Sequence, residues 1–157
     1  MATITAWRIV KARFASAAFT GEGAKRDGGR WNSVGVAVVY LAESRALAIV
    51  ENLVHLDADE LIGHYRLLPA TFDSGLVKEL STSELPMDWR RNPAPPSTSR
   101  LGDQWVRTGE SAVLRVPSVI VPSESNFVLN PNHPQFHTIK LGPPEKFRFD
   151  RRLKPRP

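Results

Sequence analysis

Val36-Ala37-Val38-Val39-Tyr40-Leu41, followed from Ser44 by Ala46, Ile49, Val50, Leu53 and Val54 at helical spacing, is the stretch that decides the fold. Its first part is a continuous apolar run rich in β-branched residues, bounded by Gly35 and by Glu43-Ser44. It predicts a buried central strand. At Ser44, a plausible N-cap, the period changes from that of a strand to that of a helix. Glu51 and His55, four residues apart, fall together beside the apolar stripe rather than in its middle.

Upstream of this unit, Trp7-Arg8-Ile9-Val10 reads as a first strand, and Phe14 to Arg30, rich in Ala, Gly and charge, as a loop. Downstream, Ile62 to Leu68 and Gly75 to Leu80 read as strands. Pro86 to Ser99 reads as a proline-rich connection and Ser99 to Arg107 as a second helix. From Ala112 to Phe149 short apolar runs alternate with prolines, which suits short strands and tight turns. The pattern gives a mixed α+β fold in a single domain spanning 1–157, with strand order left open.

The chain has 157 residues, enough to bury roughly two thirds of its unfolded surface in one core. A hydrophobic fraction of 41% and a charged fraction of 24% exclude a disordered chain. With no cysteine, disulfides, thiolate metal sites and a cysteine nucleophile are all excluded. No signal segment or transmembrane run is evident, so a cytoplasmic protein without a membrane partner is expected. The net charge of +5 implies an anionic partner without naming it. Much of the excess sits in the tail at 151–157, which reads as a frayed terminus.

Three segments carry candidate chemistry. In Gly28-Gly29-Arg30-Trp31-Asn32 the glycines allow close backbone approach and Arg30 offers a fork for phosphate oxygens, although the same residues also describe a turn beside a core tryptophan. The segment matches neither a Walker loop nor the dinucleotide fingerprint. Glu51 on its apolar helix is either a partly desolvated carboxylate or a surface residue, and His55 is placed to share its site. Ser118 and Asn126 offer short polar groups at strand ends, suited to ribose hydroxyls or an amide. His133 and His137 have a metal-like spacing, but Pro134 breaks the helix that would align them, so no metal is expected.

Taken in order, these segments resemble the RES domain, the toxin component of RES–Xre toxin–antitoxin modules. The matching pieces are Trp7-Arg8, Gly28 to Asn32, Val38 to Leu41, Glu51 with His55, Leu114 to Ser118, Asn126 to Pro131 and Phe147 to Asp150. The resemblance implies a bacterial toxin with an ADP-ribosyltransferase-like fold that consumes NAD⁺, either degrading it or transferring ADP-ribose to a host protein. It also implies silencing by an Xre-type helix-turn-helix antitoxin. Arg30, Glu51 and Ser118 fall on the arginine, glutamate and serine that name the family, and Tyr40 and Asn126 on further pocket positions. With these roles, Arg30 grips the pyrophosphate, Tyr40 offers an aromatic platform and Glu51 stabilises the ribosyl cation. Ser118 and Asn126, with His55 nearby, hold the ribose or carboxamide. The position two before Glu51 is Ile49, so no second carboxylate marks the acceptor. The competing class is a non-enzymatic nucleic-acid-binding module resting on Arg90-Arg91, Arg151-Arg152 and Lys154. These are scattered and lack a binding motif, so direct nucleic-acid contact is not expected.

Overall fold

The computed structural model describes residues 2–153. Its elements in chain order are β1 (Thr3–Lys11), α1 (Glu22–Asp27), β2 (Val39–Ala42), α2 (Arg45–Leu53), β3 (Tyr65–Asp73) and β4 (Val77–Glu79). They continue with α3 (Pro96–Thr108), β5 (Val113–Pro117), β6 (Ser125–Leu129), β7 (Lys140–Leu141) and β8 (Glu145–Phe147). The described strands form one eight-stranded sheet in the order β4-β5-β6-β2-β1-β3-β7, with β8 also on β3. All pairs are antiparallel except β4 with β5. The fold is therefore α+β with a mixed sheet and few helices.

The sheet is not uniformly zipped. β1 pairs with β3 along its whole nine-residue length, and β2 pairs with β6 along all four of its residues. Between β1 and β2, however, the register holds only Trp7↔Ala42. Antiparallel strands that pair at one point leave the rest of the seam without ladder hydrogen bonds. The Arg8 side chain crosses the seam, its Nη1 donating to the Tyr40 carbonyl (3.1 Å).

Two cores follow from the two faces. Val39, Leu41, Ala70, Phe72, Phe127 and Leu129 bury together on one side. On the other, α3 brings Trp105 onto Trp31, Val38, Leu114, Val116 and Val128. Alternation along β2 and β6 sends successive side chains to these opposite cores, as the pleat requires.

Several sequence expectations shift. The central strand begins at Val39 rather than Val36, because only residues 39–42 meet β6. β3 starts at Tyr65 and runs to Asp73, Ile62 instead closing a 3-10 turn at Ala58–Ile62. The strand expected from Gly75 is confined to Val77–Glu79. α3 starts at Pro96, where a proline's missing N–H costs nothing. The expected loop from Phe14 to Arg30 contains a 3-10 turn at Ala12–Ala17 and the helix α1. Gly21 (φ 78°) and Gly28 (φ 72°) bracket α1, and between them Ala24, Lys25 and Arg26 favour helix. Ser44 caps α2 as expected, accepting from Leu47 N (3.0 Å). The stripe holds in part: Ile49 and Leu53 pack against Leu61, Tyr65 and Phe149, whereas α2's buried pair is Leu47 and Ala48, and Ala46 and Val54 are exposed. Of the basic tail, Arg151–Leu153 forms one 3-10 turn, and residues 154–157 lie outside the described residues.

Candidate functional site

Correcting the helical stripe changes the standing of Glu51. It follows Leu47 by four residues and Ala48 by three, so it lies on the buried face of α2, aimed at the ends of β5 and β6. There its Oε1 accepts from Ser118 Oγ (2.6 Å) and from Asn126 Nδ2 (2.9 Å). Oε2 has no hydrogen bond among the described residues.

Ser118 is fully buried just past β5. Its hydroxyl also accepts from the backbone N–H groups of Ile120 (3.2 Å) and Val121 (3.0 Å). A hydroxyl has one proton and two lone pairs. With two N–H groups on the lone pairs, the proton is committed to Glu51, and no capacity remains for a substrate. Asn126 differs: its Oδ1 is buried with no partner. Buried acceptors in native proteins are almost always satisfied, so an orphan beside a carboxylate marks a place for a donor from outside the chain.

The opposite side is built around Arg30. Gly29-Arg30-Trp31-Asn32 is a tight turn closed by Gly29 N to Asn32 O (2.9 Å), with Arg30 near its tip and Trp31 in the core. Tyr40 holds the turn from below. Its hydroxyl donates to Asn32 Oδ1 (2.6 Å) and accepts from Trp31 N (3.0 Å), and burial pushes its phenol well above the ordinary tyrosine range. A Cβ on Gly29 would lie 2.7 Å from that hydroxyl, so glycine is required for contact. From above, α3 presses directly on the turn: a Cβ on Gly102 would lie 1.7 Å from the Trp31 carbonyl oxygen. Asp103 then takes Ser33 N (2.8 Å) and Ser33 Oγ (2.5 Å).

Arg30 Nη1 donates to the carbonyls of Trp89 (2.9 Å) and Arg91 (2.8 Å). Both its protons are thus used on the proline-rich connection, which continues to the Ser118 side through Arg90 Nη2 and the Val119 carbonyl (3.2 Å). The Nη2 and Nε donors of Arg30 have no partner among the described residues. Desolvation lowers its pKa, while Glu51 and Tyr40, near enough to act electrostatically, pull it back.

The structure therefore brings Arg30, Tyr40, Glu51, Ser118 and Asn126 into one neighbourhood. It does not bring His55 in: α2 ends at Leu53, and His55 stands exposed in the following turn with no side-chain hydrogen bond among the described residues. Arg8 enters the sequence reading only as part of the matching piece Trp7-Arg8, with no role. Its Nε is buried without a partner, no carboxylate compensates the charge, and burial lowers its pKa to about 10. The available signal was a charge on a strand long enough to be central. Asn32 and Asp103 were also passed over as supports of the turn. No cluster of three metal-ligating side chains occurs among the described residues.

The fold has a solved counterpart. The chain superposes with a TM-score of 0.77 on a chain from the crystal structure of the M. tuberculosis MbcT–MbcA toxin–antitoxin complex, at 21% identity, covering 94% of this chain and 85% of that one. The family follows from sequence. The RES domain family matches residues 5–150, and the chain belongs to it. A relative from Sphingobium sp. (strain YBL2), the Prs ADP-ribosylating toxin, is 42% identical over 156 residues, covering 96% of this chain and 97% of its own. Toxin Res of Yersinia enterocolitica is 39% identical over 149 residues, covering 94% and 98%. The chain thus stands among the RES-domain proteins whose relatives are named as toxins.

Proposed function

We propose that this chain cleaves NAD⁺ at the nicotinamide–ribose bond and passes ADP-ribose to an acceptor, and that an Xre-type antitoxin holds it in check in the cytoplasm. The observation that carries the reading is the Glu51 cradle: a carboxylate with one oxygen fixed and the other free, beside the orphaned acceptor of Asn126. As the C–N bond breaks, its electron pair leaves with nicotinamide and the ribose gains oxocarbenium character. A fixed carboxylate stabilises that charge without reorganising. Asn126 Oδ1 accepts a hydrogen bond from a ribose hydroxyl or the carboxamide. The free donors of Arg30, with Arg8 across the seam, meet the pyrophosphate. Ser118 acts as a positioning residue, because its hydrogen bonds are all spent on Glu51 and the backbone. The acceptor then bonds to the ribosyl carbon and loses a proton. Water, phosphate and a host protein side chain are the candidate acceptors, the last in line with the name of the Sphingobium relative.

The test is mass spectrometry of products from NAD⁺ incubated with the purified chain, with and without phosphate and with cell lysate. Free nicotinamide is expected, and the form of the ADP-ribose product names the acceptor. Absence of nicotinamide release under all three conditions would overturn the reading.

A further inference from the structure

At the outer edge of the sheet β8 lies on β3 with Arg66 directly opposite Lys146. One step beyond the Tyr65↔Phe147 pair stand His64 and Arg148, with Arg148 Nη2 donating to His64 Nε2 (2.9 Å). Positions two apart in a strand share a face, so both pairs point the same way. Tyr65 pairs with Phe147, and Leu67 packs with Leu47 and Ala48 of α2, so Arg66, between them in β3, points to the face away from that helix. Like charges placed directly across a ladder are destabilising. Here neither Arg66, Lys146 nor Arg148 forms an ion pair among the described residues. The four side chains line an open hollow of about 510 Å³ that no carboxylate borders. It adjoins a second, of about 470 Å³, through His64, where Arg13 adds a further cation, Glu60 is already tied to Lys11 (2.8 Å), and the carboxylate of Asp59 lines this second hollow but not the first.

We propose that this hollow is a binding site for a linked-phosphate anion, a nucleoside polyphosphate or the phosphodiester strand of a nucleic acid. The density of charge favours phosphate over an acidic peptide. An extended peptide shows one side chain per roughly 7 Å on a given face, whereas three cations, Arg66, Lys146 and Arg148, lie here within about 7 Å along the strands and about 5 Å across them. Linked phosphates concentrate several charges in that space, and guanidinium forks match their oxygens. The volume is that of a nucleotide-sized ligand. None of the lining residues shares a hydrogen bond with Glu51, Ser118 or Asn126, so the inference stands apart from the NAD⁺ reading.

Calorimetric titration at about 0.15 M salt with tripolyphosphate, ATP, a short oligothymidylate and polyglutamate tests it. Tripolyphosphate is expected to bind, and Lys146→Glu with Arg148→Glu to weaken it at least about tenfold. Glu51→Gln should leave that binding unchanged. Tighter binding of ATP than of the oligonucleotide assigns the site to a free nucleotide, and the reverse assigns it to a strand. Both mutated residues are exposed, and if the double variant melts early, Lys146→Gln with Arg148→Gln replaces it. The proposal fails if polyglutamate binds as tightly as tripolyphosphate, if neither binds, or if both pairs of substitutions leave affinity unchanged.

Discussion

Glu51 is held by polar atoms supplied at the ends of two strands, whereas the turn carrying Arg30 is held by backbone-to-backbone packing that tolerates no added carbon. The carboxylate side is specified by hydrogen bonds, so isosteric changes there alter chemistry and spare the fold. The turn side is specified by shape, so the smallest steric change there reaches the whole domain. In the proposed reaction, polar fixation keeps Glu51 in place, and steric fixation keeps the Arg30 turn from collapsing into the space NAD⁺ would need.

The largest expected effect breaks the steric side. Gly102→Ala drives a methyl into the Trp31 carbonyl, and the rigid backbone on both sides leaves no cheap relief. A loss on the order of 4 kcal/mol, with a fall in melting temperature above ~10 °C, is expected in a thermal unfolding scan. Next, Glu51→Gln sharpens the contrast. The amide oxygen still accepts from Ser118 and Asn126, so melting stays within a few degrees, while nicotinamide release falls about 10²–10³-fold. A Gln variant with undiminished release would remove Glu51 from the chemistry.

Tyr40→Phe probes the joint between the two sides. It strands the buried Asn32 Oδ1 and removes the partner of Trp31 N, at a cost of about 1–3 kcal/mol by denaturant titration. The smallest effect is a near cancellation. Arg8→Met removes a buried, unpaired Nε–H but also the Nη1 bond to the Tyr40 carbonyl, so stability is expected to change by no more than about 1 kcal/mol while NAD⁺ binding weakens. Lower stability and unchanged binding would show Arg8 to be purely structural.

The strand-to-helix unit was legible because its signals are local: β-branched run, serine cap, change of period. Glu51 was half legible. Its helix was evident and Ile49 and Leu53 do pack inward, but only packing against β1 and β2 reveals Leu47 and Ala48, not Ala46 and Val54, as the buried pair beside Glu51. The partners of Glu51 lie 67 and 75 residues away, a separation no periodicity encodes. Arg30, Tyr40, Ser118 and Asn126 were identified through family resemblance, and their residue types alone were compatible with turns and strand ends. Gly102 gave no signal in sequence, since a glycine inside a helix reads as a weakness until the carbonyl against it is seen. His55 was over-read because the helix was extended past its true end at Leu53.

The seam between β1 and β2, closed only at Trp7↔Ala42 and spanned by Arg8, makes the sheet an unfinished arch. On the proposed function, NAD⁺ seated across it would act as a keystone and couple the melting of one half to that of the other. Saturating ligand therefore raises the cooperativity of unfolding as well as its midpoint, the midpoint by the mass-action increment expected for binding the native state alone. An antitoxin that props the same seam open would disarm the enzyme without touching Glu51.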